Sequence, residues 1–274
     1  MLRKLAAILL ICLAATGLSR AASLDFGGAS YSAGPQKAAI TEPVNVSTSA
    51  DGWQDFYAGE MWQRTIETAP QAGTVLLAYG GYGADEPGSK NWAKALAEAG
   101  GFKYVVAVKG PAIVDYSDHK KKKANEQLVK TLSAAGITKI VIAAHSSGTY
   151  VAHELLAMLG LKENAAILSK TVYYNLDGAT CLTCPGLAAA SPSFKYTCVG
   201  AKQGELKSPN YSSVQACGKA HFASLTFQAG CTGPWCLHAL LINTRSAAFS
   251  PVRPSVPLYY ADPQIAVSSA YLIK

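Results

Sequence analysis

Residues 139–159 read KIVIAAHSSGTYVAHELLAML. Ile140, Val141, Ile142 and Ala143 form a short β-branched, apolar run, the pattern of a strand covered on both faces within a parallel sheet. Val151, Leu155, Met158 and Leu159 then recur at helical spacing. Only His145, Ser146, Ser147 and Gly148 lie between, too few for a relaxed loop. A serine on so sharp a strand-to-helix turn is lifted clear of the sheet, and the first amides of the helix face any oxyanion beside it. The strained turn needs small residues two places before and two after that serine. Ala144 and Gly148 hold those places and single out Ser146.

Outward from this stretch, strand and helix alternate. Strands are expected over residues 74–79, 104–108, 139–143, 171–175, 195–200 and 224–229. Helices are expected over 89–99, with Trp92, Ala95, Leu96 and Ala99 on one face, over 122–135 up to Gly136, and over 148–159. This order implies an α/β architecture with a mostly parallel central sheet and right-handed crossovers. Reactive groups in such sheets gather at the carboxyl ends of the strands, which filters every candidate below. Residues 22–51 are rich in Ser, Gly, Ala and Thr, with one strand-like piece near 40–46. The tail from 247, with four prolines, reads as extended.

Composition bounds the function. The chain has 274 residues, half of them apolar, enough for one full core. The basic start Arg3-Lys4, the apolar run 5–18 and the small residues around Ala21 and Ala22 form a secretory signal peptide, residues 1–22, leaving 23–274 as one domain. The run is too short to span a bilayer, so no stable membrane insertion is expected. The formal charge of +7 falls to +4 once Arg3, Lys4 and Arg20 leave with no acid. The one dense basic block, His119 to Lys123, has no companion block or stacking aromatics, so it reads as a solvated face and no nucleic-acid partner is expected.

Seven cysteines become six without Cys12, an even count that favours disulfides in an exported chain. Local order favours pairs Cys181–Cys184, Cys198–Cys217 and Cys231–Cys236. A zinc site at Cys181 and Cys184 would lack the second half of its ligands, so no metal is expected. Asn45 and Asn210 open glycosylation sequons that matter only in a eukaryotic host.

Ala144-His145-Ser146-Ser147-Gly148, in the order strand, elbow, helix, resembles the G-x-S-x-G elbow of the α/β-hydrolase superfamily, with Ala144 at the first glycine. The resemblance covers residues 74–244 and implies a three-layer α/β-hydrolase fold without a large cap domain. It implies Ser146 as nucleophile and a triad in the order serine, acid, histidine. Of the histidines that follow, His153 lies within the helix and His221 at the wrong end of a strand. His238 follows the last strand at the correct end and is the expected base. Asp177, in Asn175-Leu176-Asp177-Gly178, is favoured over Glu205 as the acid, because an acid that orients an imidazole must be held and partly buried. An Asp capping a turn before Gly178 is the plain alternative.

The oxyanion donors would be the amide of Ser147 and that of Gly81 or Tyr82, in the glycine loop Gly80-Gly81-Tyr82-Gly83 after the first core strand. The resemblance implies a secreted serine hydrolase of carboxylic esters, esterase- or lipase-like, with peptidase and thioesterase as variants of the same parts. It implies no cofactor, and a small-molecule or lipid-like ester as substrate. The loops 111–116 and 180–194 would line the site, with Tyr82 and Trp235 as an apolar wall. The rival readings are a catalytically inactive binding protein of the same fold and a cell-surface interaction protein.

Overall fold

The computed structural model describes residues 51–69, 71–111, 119–181, 183–226 and 231–241. The expected signal peptide, the expected strand-like piece near 40–46, the Asn45 sequon, the loop residues 112–116 and the proline-bearing tail lie outside them. The strands are β1 (Gln54–Tyr57), β2 (Met61–Thr65), β3 (Gln71–Tyr79), β4 (Phe102–Val108), β5 (Lys139–His145), β6 (Thr171–Leu176), β7 (Lys195–Gln203), β8 (Leu206–Lys207) and β9 (Phe222–Thr226). The helices are α1 (Glu86–Gly100), α2 (His119–Leu132), α3 (Gly148–Leu159), α4 (Ala165–Leu168), α5 (Cys184–Ala190), α6 (Tyr211–Gly218) and α7 (Pro234–Leu240). The nine described strands form one sheet in the order β1-β2-β4-β3-β5-β6-β7, with β8 and β9 both paired to β7. From β4 through β3, β5, β6 and β7 to β9 the pairing is parallel, while the β1-β2 hairpin adds antiparallel to β4.

The central strands are apolar throughout because both their faces are covered. Val75, Leu77 and Tyr79 of β3 pack with α2 and α3, in a core that includes Ala124, Leu128, Val151 and Leu155. The alternate residues Leu76 and Ala78 pack with Trp92 and Leu96 of α1 and Leu237 of α7 on the opposite face. Strand β5 divides the same way, Ile140, Ile142 and Ala144 facing one layer and Val141 and Ala143 the other. The structure is thus the expected three-layer α/β fold with a mostly parallel central sheet. No large cap domain interrupts it among the described residues.

Several expectations need correction. The β1-β2 hairpin had no sequence expectation, since its twelve residues 54–65 offer no long apolar run. Helix α2 starts at His119, so the basic block is its first turn and not a uniformly solvated face. Lys122 and Lys123 are exposed, but Lys121 is buried with its Nζ 2.7 Å from Glu60 Oε2, tying α2 to the β1-β2 turn.

The disulfides are Cys181–Cys217 and Cys231–Cys236. The second is the expected pair. The first replaces both Cys181–Cys184 and Cys198–Cys217, and Cys184 and Cys198 remain buried free thiols. Cys184 opens α5 with its Sγ 3.8 Å from His153 Nε2 in the core, away from its neighbour in sequence, while α6 brings Cys217 to Cys181 with a Cα–Cα distance of 6.2 Å. Burial pushes both thiols up, that of Cys198 to about 12.

Candidate active site

Ser146 sits in the turn from β5 to α3 at φ 53°, in the left-handed region that side chains disfavour. The turn is braced from both sides. Ser146 N donates to Leu176 O at 3.2 Å, and Ser146 O accepts from Ala179 N at 3.0 Å and from Thr149 Oγ1 at 2.6 Å. The elbow is therefore laced to the segment that follows β6. Gly148 is required for space, because a Cβ there would run into the carbonyl oxygens of Tyr79 and Gly80. Gly81 is equally constrained, since a Cβ would lie 2.9 Å from Ser146 Cβ. The glycine loop consequently lies directly against the nucleophile candidate.

Asp177 directly follows β6 at φ 45°, also in the left-handed region. It is fully buried. Its Oδ1 accepts from Ser208 Oγ at 2.7 Å, its backbone carbonyl accepts from Asn210 Nδ2 at 2.9 Å, and its amide donates to Val199 O at 2.7 Å. Gly178 N bonds back to Asn175 Oδ1 at 2.8 Å, so the tight turn is held by Asn175 and the aspartate is left free for tertiary partners. Its Oδ2 meets His238 Nδ1 at 2.5 Å. Glu205 lies exposed in the β7-β8 turn, in keeping with its polar sequence context.

His238 lies in the last turn of α7. Leu237 and Leu241 anchor the helix in the core. The loop before it is tied by the Cys231–Cys236 disulfide and by Gln203, whose side chain donates to Cys231 O at 3.0 Å and accepts from Cys231 N at 2.9 Å. Trp235 stands edge-on to the His238 ring with centroids 5.4 Å apart, and is 69% exposed. Tyr82 in the glycine loop is 63% exposed.

Among the described residues the amides of Gly81, Tyr82 and Ser147 have no backbone acceptor, whereas those of Gly80, Gly83 and Ala84 each donate to a carbonyl. The three free amides are those the sequence put forward as oxyanion donors. The other histidines fall elsewhere. His221 ends a 3-10 turn ahead of β9 and packs on Tyr196, with centroids 4.5 Å apart. His153 is buried in α3, and burial lowers its pKa to about 4. Three residues of the site had no sequence expectation. Ser208, Asn210 and His145 reach Asp177 or His238 only through the fold, although His145 was visible as the residue before Ser146.

Geometry and topology define the class first: a mostly parallel sheet whose strand β5 leads into a left-handed serine, with an Asp-His pair contributed by the residue after β6 and by α7, is an α/β-hydrolase fold. The comparisons with known proteins add the following. No family model matches the chain, and no curated protein matches it. Similar solved structures include carboxyl esterase 2 of Tuber melanosporum, at 12% identity and TM-score 0.49, covering 78% of this chain and 82% of that one. A thermostable esterase from Pseudomonas putida has 13% identity and TM-score 0.44, covering 78% of each chain. An alpha/beta hydrolase superfamily protein from Enterococcus faecalis has 14% identity and TM-score 0.38, covering 66% of this chain and 88% of that one.

Proposed function

We propose that this protein is a serine hydrolase of carboxylic esters, with Ser146 as nucleophile, His238 as general base and acid, and Asp177 as the group that orients His238. The observation that carries the reading is the 2.5 Å contact between His238 Nδ1 and Asp177 Oδ2 at the strand ends where Ser146 turns. An aspartate receiving Nδ1–H fixes the tautomer that leaves Nε2 bare to take a proton. Ser146 Oγ attacks the ester carbonyl carbon as its proton passes to His238 Nε2. The negative oxygen of the tetrahedral intermediate is received by the amides of Ser147 and of Gly81 or Tyr82. The intermediate collapses, the C–O bond to the alcohol breaks, and His238 returns the proton to the departing alkoxide. Water then repeats the sequence on the acyl-serine, losing its proton to His238, and releases the carboxylic acid and the free Ser146 hydroxyl.

The same contact supports the catalytic over the non-catalytic reading, which does not require Asp177 and His238 to meet. The exposed ring of Trp235 beside His238 suits a substrate with an apolar portion. Two disulfides favour an oxidising compartment and so an exported protein. No helix among the described residues is long and apolar enough to cross a membrane.

The test is intact-mass analysis after exposure to a fluorophosphonate, for the parent and for Ser146→Ala, followed by turnover of a panel of p-nitrophenyl esters. One adduct on the parent, none on the variant, and ester turnover lost by at least about 10³-fold in the variant are expected. A folded parent that takes no adduct overturns the proposal.

A further inference from the structure

His145 is buried on the β5 face that carries Val141 and Ala143, the face covered by α7. Its ring lies against that of His238, with centroids 4.3 Å apart. Its Nε2 is 3.1 Å from the backbone carbonyl oxygen of His238. Its Nδ1 is buried and has no partner among the described residues, and a Cβ built on Gly81 would come within 3.0 Å of it. One side chain thus touches the glycine loop, the elbow and the residue that carries the imidazole.

We propose that His145 is a positioning residue of the site described above, holding the backbone of His238 against the strand that carries Ser146. The inference rests on the ester-hydrolase reading and adds a member to it.

The chemistry of the two atoms fixes the tautomer. A carbonyl oxygen only accepts, so His145 Nε2 carries the hydrogen and donates it, and Nδ1 is a bare acceptor. Adding a second proton would place a charge in a dry site that offers Nδ1 no acceptor, beside an imidazole that itself becomes positive in each half-reaction. Burial first, and the neighbouring His238 second, hold the His145 pKa well below the usual histidine value, so the ring stays a neutral donor.

The bond closes a circuit. The elbow is tied to the acid turn by Ser146 N to Leu176 O and by Ala179 N to Ser146 O. The acid is tied to the base by Asp177 Oδ2 and His238 Nδ1. His145 ties the base back to the elbow. Without it, the His238 carbonyl keeps only the bond from Leu241 N at 3.3 Å at the end of its own seven-residue helix, and among the described residues no backbone-to-backbone bond ties His238 to the strand that carries Ser146. A short helix has little stability of its own, and a displacement of the imidazole by about 1 Å is enough to cost up to about a hundredfold in rate.

The experiment compares His145→Phe, which keeps a flat ring but has no donor, with His145→Gln, whose amide nitrogen can reach the same carbonyl. Both are assayed for kcat and KM on a p-nitrophenyl ester and for the rate of fluorophosphonate labelling, with folding checked by a thermal melt. The Phe variant is expected to lose about tenfold or more in kcat and labelling rate with KM changed by less than about twofold, and the Gln variant to recover at least about a third of the loss. Parent-like rates in the Phe variant, or equal losses in both, overturn the proposal. If the Phe variant does not fold, His145→Asn, whose amide is too short to reach, replaces it under the same criteria. A folded parent that takes no label shows instead that the hydrolase reading has failed.

Discussion

Strand β3 bends near its start at Gly73 and the connections into β4 and β5 bend at Gly101 and Gly136, whereas those leaving β5 and β6 bend at Ser146 and Asp177, with φ of 53° and 45°. The backbone requirement is similar in all five places. A residue with a Cβ in the left-handed region costs roughly 1–2 kcal/mol, which glycine avoids. At the amino ends of these three strands the turn is the whole purpose, and glycine serves it. At the carboxyl ends of β5 and β6 the strained residues carry side chains placed in the candidate site, Ser146 beside the glycine loop and Asp177 against His238 and Ser208, and on the proposed function that is why the strain is retained. Strained non-glycine residues persist where surrounding bonds over-determine them, and both turns here are braced by tertiary hydrogen bonds.

If the strain at Asp177 serves chemistry, removing its charge while keeping its shape should cost rate far more than stability. Asp177→Asn retains an oxygen to accept from Ser208 but no longer dictates the His238 tautomer. Steady-state kinetics on the folded variant should show kcat lower by about 10³- to 10⁴-fold. An Asn variant with parent-like turnover would make Asp177 a turn residue like the glycines at the other end, and the contrast would collapse.

The contrast was half legible in the sequence. The elbow announces itself because a strand, a helix and the need for small neighbours are all local, so Ser146, Gly148 and the glycine loop stand out in a few residues. Asp177 and His238 needed the rule about strand ends, which filters by topology without measuring distance. What could not be read is what depends on tertiary approach. Ser208 and Asn210 reach Asp177 from 31 and 33 residues away, across β7 and the β7-β8 turn. The pairing of Cys181 with Cys217 likewise follows from where α6 docks, whereas proximity in sequence favoured Cys184. The β1-β2 hairpin is short, and Phe56, Met61 and Trp62 are the only buried apolar residues of its two strands, too few for a periodic pattern to stand out. His145 is the instructive middle case, since the period of two along β5 already places it with Val141 and Ala143, on the side away from Ile142 and Ala144.

A second contrast lies between two buried histidines near the elbow. His238 has an acid partner, while His153, one turn beyond the elbow in α3, has only a thiol at 3.8 Å and the edge of Tyr173 at 5.5 Å. Burial lowers the His153 pKa to about 4, so the folded protein keeps it neutral where the unfolded chain, titrating near the ordinary value, has already taken up a proton. Stability from this group is therefore complete above about pH 6.5 and drains away as pH falls toward 4, by about 3 kcal/mol in all. Urea unfolding at pH 7, 5 and 4 should show His153→Phe losing less stability across that range than the parent. Equal pH dependence in the two would mean that His153 is not held neutral, and that burial without a partner does not separate it from His238.

The smallest effects test the backbone argument itself. Ser146→Gly relieves the left-handed strain of roughly 1–2 kcal/mol but adds freedom to the unfolded chain worth roughly 0.5–1 kcal/mol, so a net gain of about 0.5–1 kcal/mol in unfolding free energy is expected alongside complete loss of labelling. Gly136→Ala runs in the opposite direction. At φ 93° with nothing within 4 Å of a new Cβ, the substitution meets no steric clash, and only the backbone conformation is penalised. It should lose about 1 kcal/mol and leave ester turnover at the parent level. Denaturant melts of the pair read both signs at once. A Ser146→Gly variant less stable than the parent would show that the hydroxyl stabilises the elbow more than its conformation strains it. Ser146 would then be held in place by its own contacts, and its left-handed backbone would no longer mark a site maintained at the expense of the fold.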